Sequence, residues 1–320
     1  MRLKVGFSPN IRLQPLLDGA VKVEGVELDW EFQKNPGALF HRQLTENCYD
    51  AFEFSIGAYM ISQRPDWIAL PVFMSKPLGL LTRFHVNVDS GIQSFADFRG
   101  KSFGLPDYSM TAGVWLRIML RILDGIQAQE ISWYNARPAE SRHGRLLDVD
   151  HDTSTGVKIV NLERPTDLNE HMQRGEIDAG YGDDNVPVEE TSKVRLFTPP
   201  AVVHRWLADF YQASGSTPTN HTLAIKRQLL DDDPSLAERL YAGFKASKEE
   251  AYRRAKHVAE AYLFFPELAF EDQASAFGED PYPFGLERNR TTLALIADQL
   301  RLDGLVEDVD LDRLWLDLAA

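Results

Sequence analysis

The fold is decided by one strand-to-helix stretch, residues 102–120. It reads Ser102-Phe103-Gly104-Leu105, then Pro106-Asp107, then Tyr108-Ser109-Met110-Thr111-Ala112, and then Val114-Trp115-Leu116-Arg117-Ile118-Met119-Leu120. The first piece is typical of a short strand, the Pro-Asp pair breaks it, and the last piece has the spacing of an amphipathic helix. Because the first turn of a helix has free N–H groups and a partial positive charge, it suits a carboxylate. We therefore expect a small acid to bind at Tyr108, Ser109 and Thr111, although Ser109 is also a plain candidate for a helix N-cap.

Strands and helices alternate on both sides of this stretch. Strands are predicted at Leu3–Ser8, Val26–Phe32 and Tyr49–Phe54, with helices between them, and the same alternation returns between Ile92 and Pro199 and at the strand His221–Ile225. This order predicts an α/β protein of two lobes, each a mostly parallel sheet flanked by helices, with a ligand cleft between them. Lobe 1 comprises residues 1–84 and 216–320, and lobe 2 comprises residues 85–215.

The C-terminal part of the chain is predicted to be helical. Its segments Leu236–Ala255 and Thr291–Leu302 have apolar stripes, which usually cover a sheet. A homodimer through this region is the alternative.

Composition excludes several classes of protein. The 320 residues carry a net charge of −14, which disfavours a nucleic-acid partner, and no apolar run is long enough for a membrane span. The N-terminus enters a strand pattern without the features of a secretory signal, so we expect a cytoplasmic protein. The single cysteine, Cys48, excludes an internal disulfide, and no metal-binding or phosphate-binding motif is present. We therefore expect neither a metal nor a cofactor.

Three polar residues follow predicted strands of the first lobe. Arg12 opens a helix and is either a solvated turn arginine or a carboxylate clamp. Glu53 and Ser55 alternate about Phe54 at the end of an apolar strand, so both should point to one face. A carboxylate in such a strand favours a function over a solvated edge.

Eight histidines are scattered along the chain. His221, in Thr217-Pro218-Thr219-Asn220-His221, lies where the chain returns to the first lobe, which is a suitable place for a proton donor facing the cleft. A histidine hydrogen-bonded within the hinge is an equally good interpretation. His41, on a predicted helix beside Arg42, is the substitute donor.

Several short motifs resemble the 4,5-dihydroxyphthalate decarboxylase family. They lie in order from residue 12 to residue 290 and include Tyr49-Asp50-Ala51-Phe52-Glu53-Phe54-Ser55, Pro71-Val72-Phe73, Thr217-Pro218-Thr219-Asn220-His221 and Asp280-Pro281-Tyr282-Pro283-Phe284-Gly285-Leu286. The resemblance implies a type II periplasmic-binding-protein fold. It also implies that Lys76 stands where the family has an arginine, which makes Lys76 a further candidate for substrate binding.

The resemblance implies a cofactor-independent decarboxylase acting on a hydroxylated aromatic carboxylic acid. Such a reaction needs a proton donor, a partner for a ring hydroxyl and an anchor for the carboxylate that stays. We assign these roles to His221, to Glu53 and to Arg12 with the start of the helix near Ser109, respectively. A solute-binding protein for a small organic acid and a different lyase are the alternatives.

Overall fold

The chain folds around two β-sheets. The structure, a computed structural model, describes residues 1–74, 83–149, 155–197 and 200–318. Lys76 therefore lies outside the described residues.

The first sheet contains five strands in the order β2-β1-β3-β11-β4. Strand β1 pairs in parallel with β2 and β3, whereas β11 runs antiparallel to β3 and β4. Every residue of β3 and β4 is buried, because both faces of these strands are covered. The bounds are β1 (Arg2–Phe7), β2 (Glu27–Phe32), β3 (Ala51–Ser55), β4 (Trp67–Phe73) and β11 (His221–Lys226).

The second sheet contains six strands in the order β10-β5-β9-β6-β7-β8. Strand β6 pairs in parallel with β7 and β9, whereas β5 is antiparallel to β9 and β10. The antiparallel strands β5 and β10 were not predicted, because with four and three residues they are too short for their alternation to be distinguished. The bounds are β5 (Phe84–Asn87), β6 (Ser102–Leu105), β7 (Ser132–Asn135), β8 (Ile159–Asn161), β9 (Ala179–Tyr181) and β10 (Val194–Leu196).

Helices cover both sheets. Their bounds are α1 (Gln14–Leu17), α2 (Pro36–Glu46), α3 (Ile56–Ser62), α4 (Thr111–Asp124), α5 (His143–Leu146), α6 (Asp167–Gln173), α7 (Pro200–Ser214), α8 (Gln228–Asp232), α9 (Leu236–Ala259), α10 (Pro266–Phe277), α11 (Leu286–Leu302) and α12 (Leu311–Leu314). None of the helices within the described ranges combines the length and the apolar character that a bilayer crossing requires.

The apolar stripes of the long C-terminal helices are buried within the chain. Leu236, Leu240 and Phe244 of α9 belong to the same core as the strands of the first sheet, as predicted. Helix α11 packs instead against α4 and α3, and its Leu293 and Ile296 share a core with Trp115.

Helix α4 is the central element between the two sheets. It follows β6 of the second sheet, yet Arg117 Nε donates to Asp303 Oδ2, just after α11, across 2.7 Å, and both side chains are almost fully buried. Trp115 Nε1 donates to the carbonyl of Thr219, just before β11. These contacts tie the second sheet to the part of the chain that completes the first.

One glycine is required by close packing of a helix on the second sheet. A Cβ at Gly104 of β6 would lie 2.1 Å from Leu168 Cδ1 of α6. Only glycine therefore fits at this point of the strand.

Candidate functional site

A histidine and a carboxylate meet where two strands of the first sheet end and a third begins. Strand β3 ends just after Glu53, β1 ends just before Ser8, and the antiparallel β11 begins at His221, opposite Ser55 in the register. His221 Nδ1 lies 2.6 Å from Glu53 Oε1. Ser8 donates to Glu53 Oε2 from its backbone N–H at 2.7 Å and from its hydroxyl at 2.6 Å. The sheet topology thus brings together two residues that are 168 positions apart.

The surroundings of Glu53 fix the orientation of His221. Burial of Glu53 acts to raise its pKa, but the charge of His221 and the hydrogen bonds from His221 and Ser8 lower the pKa overall. An ionised carboxylate only accepts hydrogen bonds, so Nδ1 of His221 carries the proton between them. Nε2 has no hydrogen-bond partner among the described residues, and the His221 side chain is 16% exposed. His221 can therefore present Nε2 to a ligand.

Glu53 itself has no exposed surface. Both of its oxygens are held by Ser8 and His221. This corrects the expectation that Glu53 contacts a ring hydroxyl directly, because a ligand cannot reach either oxygen in this arrangement. Its geometry is that of a group that positions the histidine.

Arg12 lies in a short 3-10 helix, Ile11–Leu13, after β1. It is 6% exposed, and its guanidinium lies 4.0 Å from the centre of the Tyr282 ring. Its Nη1 is buried without a hydrogen-bond partner among the described residues. Burial lowers the pKa of Arg12. An unpaired, buried guanidinium N–H is costly, and a ligand carboxylate would satisfy it.

The segment that contains Arg12 is joined to strand β11, which begins at His221. Asn10 Nδ2 donates to the carbonyl of Met74 across 2.9 Å, and Met74 N donates to the carbonyl of His221 across 3.1 Å. Asn10 Oδ1 in turn accepts from the backbone N–H of Arg12. The anchor and the donor proposed from the sequence are thus connected by consecutive hydrogen bonds.

The start of α4 is packed against α3, the helix that follows β3 of the first sheet. Thr111 Oγ1 accepts from Gly57 N and bonds to Ser55 Oγ, each across 2.8 Å. Ser109 donates its hydroxyl to Asp107 Oδ1, and the N-cap of the helix is Met110 rather than Ser109. The hydroxyls of Ser55, Ser109 and Thr111 therefore bond to protein groups, and their assignment to ligand binding stays a prediction.

Tyr108 is directed into the interior. Its ring has no exposed surface and packs against Arg117 and Trp133, with the Arg117 guanidinium 3.9 Å from the ring centre. The Tyr108 side chain therefore belongs to the core, and the assignment of Tyr108 to substrate binding stays a prediction.

The sequence did not reveal a third histidine at the contact between the lobes. His143 is 6% exposed, and its Nε2 lies 2.9 Å from the carbonyl of Gly37 in α2. Burial lowers the pKa of His143 to about 4, and the positive charge of Arg137 adds to this effect. The ring is therefore neutral near pH 7, and because a carbonyl only accepts, Nε2 carries the proton and Nδ1 is an acceptor.

Helix α2 brings His143 close to the two predicted histidines. The Phe40 ring centre lies 5.0 Å from that of His221 and 6.2 Å from that of His143. The rings of His41 and His143 are stacked with centres 6.2 Å apart. His41 thus faces the second lobe, and its Nδ1 is buried without a hydrogen-bond partner among the described residues.

Other buried charges surround His143. Asp107 accepts from the backbone N–H groups of His143 and Gly144, and Arg137 pairs with Asp183 across 3.1 Å. The sequence feature that could have indicated the site around His143 is the cluster of basic residues at 137, 142, 143 and 145, in a chain of negative net charge. A metal centre has no support here: the described ranges hold no group of three or more His, Cys, Asp or Glu side chains placed to bind an ion.

The chain was compared with known proteins. No family model matches it. It is 28% identical over 299 residues to a 4,5-dihydroxyphthalate decarboxylase of Comamonas testosteroni, which covers 90% of this chain and 88% of the relative. It is 31% identical over 185 residues to a 4,5-dihydroxyphthalate decarboxylase of Pseudomonas putida, covering 57% of this chain and 70% of the relative.

Solved structures confirm the predicted fold. The periplasmic aliphatic sulphonate binding protein SsuA of Escherichia coli superposes with a TM-score of 0.55 at 14% identity, covering 100% of this chain and 93% of that protein. A ligand-binding component of an ABC-type import system from Staphylococcus aureus gives a TM-score of 0.54 at 13% identity, covering 99% and 97%. At these identities the likeness shows the periplasmic-binding-protein fold alone.

Proposed function

Since the chain belongs to the 4,5-dihydroxyphthalate decarboxylase family, we propose that it is a decarboxylase acting on a hydroxylated aromatic carboxylic acid of the dihydroxyphthalate type. The observation that carries the proposal is the His221–Glu53 pair, in which a buried carboxylate orients an imidazole whose second nitrogen has no partner among the described residues. This is the arrangement needed to deliver one proton to a fixed atom.

The proton goes to the ring carbon that bears the leaving carboxylate. In 4,5-dihydroxyphthalate each carboxylate has a hydroxyl in the para position, and the electron density of that hydroxyl stabilises the protonated ring. The bond between this ring carbon and the carboxylate then breaks, CO₂ leaves, and the electron pair of the bond returns to the ring. His221 donates from Nε2 and regains a proton from solvent, so no electrons are gained or lost overall.

The other groups bind and position. Arg12, with Nη1 free of described partners, is the proposed anchor for the carboxylate that stays. Glu53 positions His221 and balances the positive charge of its protonated ring. His41 remains the substitute donor, while Ser55 and Thr111 join the two lobes beside the site and Ser109 bonds to Asp107 within its own lobe.

The test is release of CO₂ from a panel of hydroxylated aromatic acids that includes 4,5-dihydroxyphthalate, with binding measured in parallel by calorimetry. We expect release from the dihydroxyphthalate and a loss of kcat of at least about 10²-fold in His221→Asn, with little change in binding, because a general acid contributes this much. His257→Asn is the matched control, since His257 is exposed near the end of α9 and is far from His221 in the sequence.

Each other result has a definite meaning. Binding of these acids without turnover would indicate a solute-binding protein, and turnover without CO₂ would indicate another lyase. A fully active His221→Asn enzyme would remove His221 from the mechanism.

A further inference from the structure

Residues 280–286, which read Asp-Pro-Tyr-Pro-Phe-Gly-Leu, fold against the proposed carboxylate anchor. The Arg12 guanidinium lies 4.0 Å from the centre of the Tyr282 ring. Thr217 Oγ1, just before β11, donates to the carbonyl of Pro281 across 3.1 Å. The segment is therefore joined to the part of the chain that leads to the proposed proton donor, and it places an aromatic ring on the guanidinium.

Asp280 brings a negative charge close to this arginine. Its Oδ1 accepts from the backbone N–H of Tyr282, the residue whose ring lies on Arg12, and from the hydroxyl of Tyr252, each across 3.1 Å. Burial lowers the pKa of Arg12, and the charge of Asp280 is among the influences that oppose this shift. An aspartate free to turn would pair with the guanidinium, and a ligand carboxylate would lose its partner.

Lys248 of α9 holds the Asp280 carboxylate. Its Nζ lies 2.6 Å from Asp280 Oδ2 and donates to the carbonyl of Tyr282 across 3.0 Å. The Lys248 and Asp280 side chains are 6% and 19% exposed, so salt in the solvent screens their attraction only weakly. Arg288 Nη1 lies 3.8 Å from the same oxygen, but its side chain is 53% exposed. Lys248 is therefore the buried cation that pairs with Asp280.

Arg12 is left without a charged partner of this kind. Its Nε donates to Asn10 Oδ1 across 3.4 Å, and its Nη1 is buried with no hydrogen-bond partner among the described residues. Helix α9 lies beside it, since Ser247 donates its hydroxyl to the carbonyl of Arg12 across 2.7 Å. Arg12, Lys248 and Asp280, which we call the anchor cluster, together carry one excess positive charge. One ligand carboxylate neutralises that charge, as a buried group of ions requires.

We propose that Lys248 is a positioning residue of the substrate site: by pairing with Asp280, it keeps Arg12 free to bind a carboxylate of the substrate. The choice of Arg12 as the anchor rests on the proposed function. Lys248 acts through Asp280 and Arg12 and does not touch the substrate. The acids that the anchor cluster selects are those that keep a carboxylate through the reaction.

The test compares the two ways of breaking the pair between Lys248 and Asp280. Binding of 4,5-dihydroxyphthalate is measured by calorimetry. We expect a Kd at least about 10-fold higher in Lys248→Met, because the released carboxylate pairs with Arg12. Asp280→Asn should bind at least as tightly as the wild type, because no carboxylate then competes for Arg12. A pair that only supported the fold would weaken binding in both variants.

The double variant Lys248→Met/Asp280→Asn restores one excess positive charge in the anchor cluster. Its Kd should lie within about 3-fold of the wild-type value, because Arg12 is again the only charge of the cluster. The double variant has no unpaired buried carboxylate, so it remains informative if Lys248→Met does not fold. Lys256→Met is the control, since Lys256 is exposed on the same helix and its loss changes the net charge equally. Circular dichroism verifies that each variant is folded.

Kinetics separate this role from catalysis. Lys248→Met should raise KM and change kcat much less, since the His221–Glu53 pair is left intact. An unchanged Kd in Lys248→Met, weaker binding in Asp280→Asn, or a double variant that binds as weakly as Lys248→Met would each overturn the proposal and leave the decarboxylase intact. The expected order of Kd values without release of CO₂ would support the anchor cluster and overturn the decarboxylase. A wild type that does not bind the acid would overturn both.

Discussion

Burial and hydrogen bonding act in opposite directions on the pKa of Glu53. Burial favours the neutral acid, yet the charge of His221 and the donors of Ser8 lower the pKa of Glu53 below its usual value. The ion pair therefore persists at a pH at which an ordinary carboxyl is protonated. In the proposed mechanism Glu53 acts through His221 and does not touch the substrate.

Glu53→Gln should lower kcat by about 10²-fold or more with little change in KM, because the neutral amide no longer fixes the proton on Nδ1 or balances the charge of the ring. The readout that identifies a positioning role is the pH profile of kcat, whose alkaline limb, where the general acid loses its proton, should move to lower pH. The exposed Glu163→Gln is the matched control. A variant with the wild-type pH profile and rate would contradict this role.

His143 gives the protein a pH-dependent stability. Burial lowers its pKa to about 4 from the usual 6.5. Between these values the unfolded chain binds more protons than the folded chain, so stability falls as the pH falls.

Urea unfolding of the wild type and of His143→Gln should measure this effect. From about pH 7 to about pH 4.5 the wild type should lose about 2 to 3 kcal/mol more than the variant, because only the wild type must keep an imidazole neutral. Equal losses in the two proteins would show that His143 titrates normally in the folded state.

Among the contacts between secondary-structure elements, the contact between β6 and α6 leaves the least space for an added side-chain atom. Leu168 is fully buried, and it also lies near Gly180 of β9, where an added Cβ would be 3.2 Å from its Cδ1. The leucine therefore has no free space on the sheet side into which it could move.

Gly104→Ala should destabilise the protein by about 2 to 3 kcal/mol, as overpacking of a core does. The measurement is chemical denaturation. Gly113→Ala is the control, because the nearest atom to a Cβ there is 3.4 Å away and alanine favours a helix. In a Leu168→Ala background the cost of Gly104→Ala should largely disappear. An equal cost in both backgrounds would place the strain elsewhere.

At the scale of the whole molecule, the two lobes are braced against each other through α4. The Arg117–Asp303 pair, the Trp115–Thr219 bond and the Ser55–Thr111 bond all join parts of the chain that belong to different sheets. Two lobes connected in this way should unfold together.

Near-ultraviolet circular dichroism, tryptophan fluorescence and far-ultraviolet circular dichroism should therefore report one coincident transition. Asp303→Asn should lower the stability by about 3 to 5 kcal/mol, because it leaves a buried arginine unpaired. Asp298→Asn, on the surface of α11, should change it by less than about 1 kcal/mol. Separate transitions of the two lobes in the wild type would contradict the bracing.

The sequence was informative where a local pattern carries the structure. Ser102–Leu105 has the predicted bounds because it is a short run with the Pro106-Asp107 break beside it. Glu53 and His221 could be selected because a carboxylate in a buried strand and a histidine at a strand entry are unusual. Their hydrogen bond could not be predicted, since it depends on β11 inserting beside β3.

The remaining features depend on tertiary contacts. Tyr108 lies in the core because Arg117 and Trp133 enclose it, and His143 lies near α2 because the lobes meet there. No spacing of residues in the chain encodes either contact. The lobe boundaries and the cytoplasmic location stay predictions.

The Arg117–Asp303 pair also affects folding during synthesis on the ribosome. Asp303 is translated 186 residues after Arg117, and β11, which fills the gap between β3 and β4, also emerges late. A nascent polypeptide still on the ribosome therefore has neither the counter-charge for α4 nor the inner strand of its first sheet. The exposed sheet edges persist until β11 has emerged and the uncovered cation until Asp303 has emerged, and during that interval chaperones have most to protect.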